Sequence, residues 1–109
     1  MKDDKLYLIH IDECIDKILS YLSQIDKEAF LESTLLQDAV IRNLQVMAES
    51  TQHLSEDIKQ NQPDIDWYKI VGFRNILVHD YLGVDMLNVW NILENEIPIL
   101  KKAIKSMLH

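Results

Sequence analysis

The chain has 109 residues, 48% of them apolar and 27% charged, with a formal net charge of −7. That length suits a single domain, 1–109, with a core of its own, and two glycines with two prolines leave little material for hairpins, so the expected fold is all-α. One cysteine, Cys14, excludes an internal disulfide framework and fits a reducing cytoplasm, while the acidic balance argues against holding nucleic acid by bulk electrostatics and suits a basic partner. No leader is expected from Met1-Lys2-Asp3-Asp4-Lys5, and no segment approaches a membrane-spanning length without charge.

Leu8, Ile11, Ile15, Ile18, Leu22 and Ile25 alternate spacings of three and four, which predicts an amphipathic helix from about Leu6 to Ile25, capped by Asp3 or Asp4. His10, one step off that stripe, reads as a surface or boundary histidine. Cys14 reads as a small buried apolar residue, since no histidine is placed to activate it. Asp26 to Ser33 breaks the pattern, with a helical turn at Glu28–Leu31 that tucks Phe30 and Leu31 into the core; Ser33 or Thr34 then offers a cap.

A second helix is predicted to run unbroken from about Leu35 to Lys59, on the stripe Leu36, Val40, Leu44, Met47, Thr51, Leu54 and Ile58. Arg42, Asn43, Glu49 and Gln52 fall on its other faces. Arg42 reads as a solvated charge, with a second positive charge near a site as the alternative.

Asn61 to Asp64 is a linker, and Asp64 or Asp66 starts a third helix through Trp67, Ile70, Val71, Phe73, Ile76, Leu77 and Val78. A helix apolar over most of its circumference is buried on more than one side, or meets a second subunit. Gly72 inside it implies a close helix–helix contact, and Gly83 supplies a stop through positive φ. Trp67 and Trp90 read as core or interface anchors. Asp85 caps a fourth helix along Met86, Val89, Trp90, Leu93, Ile97, Leu100 and Ile104, and Pro98 breaks or kinks it. Lys101, Lys102 and Lys105 suit a negative helix terminus. The expected architecture is an up-and-down bundle of four main helices, the last one broken or kinked near Pro98.

The stretch Phe73 to Gly83 is not explained by packing. It sets Arg74, His79, Asp80 and Tyr81 around Ile76, Leu77 and Val78. Residues five apart lie ~140° apart around a helix, so Arg74 and His79 share no face of one helix; they meet if the helix ends near His79 and a second copy packs alongside. Arg74 brings a planar, permanently charged fork for phosphate oxygens, and His79 exchanges a proton near neutral pH. Together these groups suit metal-independent RNA cleavage through the 2′-hydroxyl, with Arg74 stabilising charge on the phosphorus oxygens. On spacing alone the signal is weak, and a histidine that only meets a helix C-terminus is the favoured reading.

Arg74-Asn75-Ile76-Leu77-Val78-His79 resembles the R-x4-6-H signature of the HEPN superfamily, with Asn75 as the polar residue after the arginine. The extension to His79-Asp80-Tyr81 is similar to the R-x4-H-x-Y form of HepT toxins, and the likeness extends to Gln37–Leu44 and Leu82–Asp85. The resemblance implies an all-helical homodimer whose motifs meet at the interface and whose substrate is RNA. It implies Arg74 and His79 as catalytic residues, Asn75 and Asp80 as supporting ones, and neither metal nor cofactor. It also implies a partner, an MNT-type minimal nucleotidyltransferase antitoxin, that silences the toxin by complex formation or by transferring AMP to Tyr81.

Two rival readings stand beside it. His79-Asp80 is also the dipeptide of HD-type metal phosphohydrolases, for which His53 and Asp85 are the available further ligands. Alternatively the chain is a non-catalytic helical docking module for a nucleotidyltransferase.

Overall fold

The computed structural model describes residues 3–108, with Tyr81 described by its backbone alone. Among these residues there are seven α-helices and no strand: α1 (Asp4–Leu22), α2 (Lys27–Glu32), α3 (Thr34–Gln52), α4 (Glu56–Gln60), α5 (Trp67–His79), α6 (Met86–Asn95) and α7 (Ile97–Leu108), with a 3-10 turn (Tyr81–Gly83) after α5. Short polar side chains start six of them. Asp3, Asp26, Ser33, Ser55, Asp66 and Asp85 each accept a hydrogen bond from an otherwise unpaired amide of the first turn; losing such a cap typically costs about 1 kcal/mol. The last break falls at Glu96, and Pro98 sits second in α7, where no amide is needed.

The main helices alternate in direction, as cross-contacts between them show. Tyr7, near the start of α1, stacks on His53 at the end of α3. Gln45 and Glu49 of α3 meet Leu77 and Arg74 of α5 in reverse order. Asp12 and Asp16 of α1 face Lys105 and Lys101 of α7, at 2.8 and 3.6 Å. These lysines therefore tie α7 to α1, beyond the helix-end role expected of them. The hydrogen bond to Asp12 raises the Lys105 pKa, so this tie is fully present below the ordinary lysine range and is lost as pH rises past it. Between the helices Ile11, Ile15, Ile18, Phe30, Val40, Leu44 and Ile104 have no exposed surface. Cys14 is buried among them, and burial raises its thiol pKa. No described helix is long and apolar enough to cross a membrane.

Several local expectations need correction. The helix expected from Leu35 to Lys59 ends at Gln52 and restarts at Glu56. The break is held from outside: Ser55 donates its amide and its hydroxyl to the Asp4 carboxylate, at 2.8 and 2.6 Å. Leu54 stays buried and Ile58 still packs on the core across the break, so the apolar spacing continues through it. In α2, Phe30 turns inward against Trp90, with ring centroids 5.5 Å apart, and Leu31 is left 37% exposed on the outer side. Gly72 has no atom within 4 Å of where a Cβ would sit, so no close helix contact inside the protomer explains it.

Phe30 is the largest side chain with no exposed surface. Phe30→Ala is expected to cost about 3–5 kcal/mol, seen as a lower urea midpoint at unchanged slope. A loss below roughly 1 kcal/mol would mean that the ring is not packed as described.

Candidate active site

The last turn of α5 is defined by how its backbone ends. The Asp80 amide bonds to the Ile76 carbonyl at 2.9 Å, after which Asp80 leaves helical geometry at φ −135°, ψ 45°. The Gly83 amide then bonds to the Asp80 carbonyl at 3.0 Å, closing the 3-10 turn. Gly83 does not adopt positive φ, contrary to expectation. It matters for space: a Cβ there would lie 2.8 Å from both Asp80 carboxylate oxygens, so glycine lets that carboxylate fold back over the turn.

The Leu77 carbonyl lies in the last turn, where regular intrahelical pairing ends and a side-chain amide can donate instead. Gln45 on α3 supplies one, donating from Nε2 at 3.0 Å. Leu77 is fully buried, and Ile70 and Phe73 pack partly on the same core. At the other end of α5, the Trp67 indole donates to the Lys59 carbonyl at 3.1 Å.

Arg74 is half-buried. Its Nη2 lies 2.9 Å from Glu49 Oε2, and its Nη1 donates to Asn75 Oδ1 at 3.2 Å. Asn75 is exposed. His79 is the final residue of α5, exposed, and makes no hydrogen bond or ion pair with a described residue. Arg74 lines a hollow between α3 and α5 from which His79 is absent. One protomer thus brings Arg74 and Asn75 together but not Arg74 and His79, as the helical spacing requires. The backbone of Tyr81 opens the turn two residues beyond His79; its side chain lies outside the described residues.

The outward side of this region is apolar. Ile76 is 50% exposed, Val78 43%, Tyr68 90% and Leu82 98%. The third helix is therefore less buried within the protomer than its composition predicts. Glu49 and Gln45, which hold the site, were not singled out from the sequence. Their one signal is a carboxylate and an amide four residues apart on one stripe of α3. Among the described residues no group of three His, Cys, Asp or Glu could hold a metal ion. The two residues available to the HD reading are otherwise engaged, His53 against Tyr7 and Glu49 and Asp85 as the α6 cap.

A helical protein with an arginine–histidine motif closing its third main helix defines a class, and comparison with known proteins identifies it. Residues 11–107 match the model of the family described as Ribonuclease HepT-like, so the chain belongs to that HEPN family. Three relatives align over nearly their whole length. A Methanocaldococcus jannaschii protein named "Putative RNase" is 31% identical over 104 residues, 95% of each chain. The "Probable ribonuclease HepT" of Thermococcus cleftensis is 35% identical over 100 residues, 92% of this chain and 91% of that one. A further "Putative RNase", from Caldanaerobacter subterraneus, is 30% identical over 108 residues, 99% of this chain and 96% of that one. No solved structure gives a significant match.

With side chains 26% and 46% exposed, Arg74 and Glu49 form a partly screened pair that orients the guanidinium more than it supports the fold. A double-mutant cycle on Glu49→Gln and Arg74→Gln is expected to give a coupling of roughly 0.2–1 kcal/mol in unfolding free energy. A coupling of several kcal/mol would make the pair a structural keystone instead.

Proposed function

We propose that this chain is a metal-independent endoribonuclease that works as a homodimer in the cytoplasm, each copy giving Arg74 and His79 to one shared cleft. The observation that carries this reading is the condition of the last turn of α5. His79 stands exposed at the helix end, bonded to no described residue and next to exposed Ile76, Val78 and Leu82, while Glu49 and Asn75 already orient Arg74. A second copy covering the apolar residues brings its own arginine and histidine to the same place. The relatives named as ribonucleases support RNA as the substrate.

In this cleft an imidazole takes the proton from a ribose 2′-hydroxyl. The 2′ oxygen then bonds to phosphorus, the bond to the 5′ oxygen breaks, and that oxygen leaves with a proton returned from imidazolium. The guanidinium of Arg74 stabilises the charge gathered on the non-bridging oxygens. The products are a 2′,3′-cyclic phosphate and a 5′-hydroxyl, and DNA, lacking the 2′-hydroxyl, is spared. Asn75 holds one arm of Arg74, and Asp80 closes the helix end behind His79.

The same reading makes the chain the toxin of a HepT/MNT toxin–antitoxin pair, silenced by complex formation with a minimal nucleotidyltransferase or by AMP transfer to Tyr81. In that transfer the tyrosine oxygen bonds to the α-phosphorus of ATP, and pyrophosphate leaves. Two residues from His79, the added phosphodiester blocks the cleft and competes with RNA for Arg74.

Arg74→Ala or His79→Ala is expected to slow RNA cleavage by a factor of roughly 10² or more, with EDTA without effect. Activity that survives both substitutions, activity abolished by EDTA, or sedimentation showing only monomer at micromolar concentration contradicts the mechanism. For the control step, wild type and Tyr81→Phe are incubated with the cognate nucleotidyltransferase, ATP and magnesium, and weighed intact. AMP is expected on the wild type alone; equal incorporation in both places the acceptor elsewhere.

A further inference from the structure

The chain has only two arginines, Arg42 and Arg74, against eighteen acidic residues. Both line the same hollow, walled by α3, α5 and the start of α1. The one acid lining it, Glu49, is paired with Arg74 Nη2 at 2.9 Å, and its other oxygen lies 3.9 Å from His53 Nε2. Arg42 is exposed and forms no hydrogen bond or ion pair with a described residue. It precedes Glu49 by seven positions, two turns along the same stripe of α3. At the other end of the hollow the His53 imidazole lies flat on the Tyr7 ring, centroids 4.8 Å apart and planes 14° apart, with His10 edge-on to Tyr7 at 6.3 Å. About half of the His53 side-chain surface is open to solvent.

A free guanidinium, an oriented guanidinium and an open aromatic face in one hollow suit a polymer that alternates phosphates with planar bases. A lone phosphate would leave the ring pair unused. We infer that this hollow is a strand-holding subsite for single-stranded RNA beside the scissile phosphate: Arg42 takes a neighbouring phosphate, and the His53–Tyr7 stack takes a base. The inference rests on the ribonuclease reading for its orientation, since Arg74 is the group the two sites share. Arg42 binds the substrate away from the reacting atoms and is a binding residue, not a catalytic one.

The test uses fluorescein-labelled single-stranded RNA and the full chain carrying His79→Ala, so that binding is read by anisotropy without cleavage. Adding Arg42→Ala is expected to raise Kd roughly tenfold, the worth of one charge-assisted contact, and to reduce the salt slope by about one. Arg42→Lys should recover part of the affinity, because it keeps the charge and loses the fork. His53→Ala should weaken binding several-fold through lost stacking. With His79 intact, Arg42→Ala should lower kcat/KM mainly through KM. If Arg42→Ala leaves Kd within about twofold and the salt slope unchanged while wild type still cleaves RNA, the subsite is overturned and the ribonuclease reading stands. If wild type cleaves no RNA but binding depends on Arg42, the ribonuclease reading falls, the hollow's hold on RNA is supported, and its place beside a scissile phosphate is overturned. No RNA binding, or Arg42-dependent binding of an acidic peptide in place of RNA, overturns the subsite.

Discussion

Gln45 and Glu49 lie about one turn apart on α3, and together they hold α5 by its side. One takes the Leu77 carbonyl in the last turn, and the other takes the guanidinium of Arg74. With Leu77 buried in the core, α5 is pinned at three points in its final turns. A helix turns ~100° per residue, so fixing residues 74 and 77 fixes the direction of residue 79 as well. His79 falls ~160° from Leu77, on the side away from the core. Its exposure is therefore set by contacts it does not itself make.

The same rotation places Ile76 and Val78 toward solvent. Single exposed apolar residues are ordinary on a protein surface. Here they adjoin His79, which makes no hydrogen bond or ion pair with a described residue. Fully covering an aliphatic side chain of this size is worth about 1.5–3 kcal/mol, so a second chain over Ile76, Val78 and Leu82 gains several kcal/mol before its own ordering costs. In the proposed dimer, association and catalysis draw on one surface. Weakening that surface separates the two copies and disassembles the cleft in the same step.

Period and chemistry made much of this legible before any coordinates. The stripe from Leu8 to Ile18 is buried, Asp66 and Asp85 cap the helices they precede, and Pro98 marks the final break. Arg74 and His79 lie on α5, with His79 as its last residue. What failed were matters settled between elements. The end of α3 was invisible because Leu54 and Ile58 keep the apolar spacing, while the carboxylate that holds the break belongs to Asp4, 51 positions away. A glycine after a helix suggests a positive-φ stop, whereas Gly83 gives room to a neighbouring carboxylate. Arg42 is exposed, as a solvated charge should be, yet it shares a hollow with Arg74 that only the packing of α3 against α5 creates. Periodicity assigns a residue to a face of its own helix and is silent on which residue of another helix that face will meet.

The acidic composition then bears on how such a site works. Part of the negative charge is matched locally: Asp12 and Asp16 by lysines of α7, Glu96 by Lys69, and Glu49 by Arg74. Fields of exposed charges fade over about 8 Å at physiological ionic strength, so a strand in the hollow responds mainly to the two arginines there. Single-stranded nucleic acid gives a salt slope of about −0.7 for each phosphate neutralised, so the four arginines of the proposed dimer would contribute about −3. This scarcity of arginines suits the proposed control. One AMP on Tyr81 adds a single phosphodiester charge, which would do little against a broad basic surface. In the proposed dimer it would compete with the RNA phosphate for the nearest guanidinium, that of Arg74.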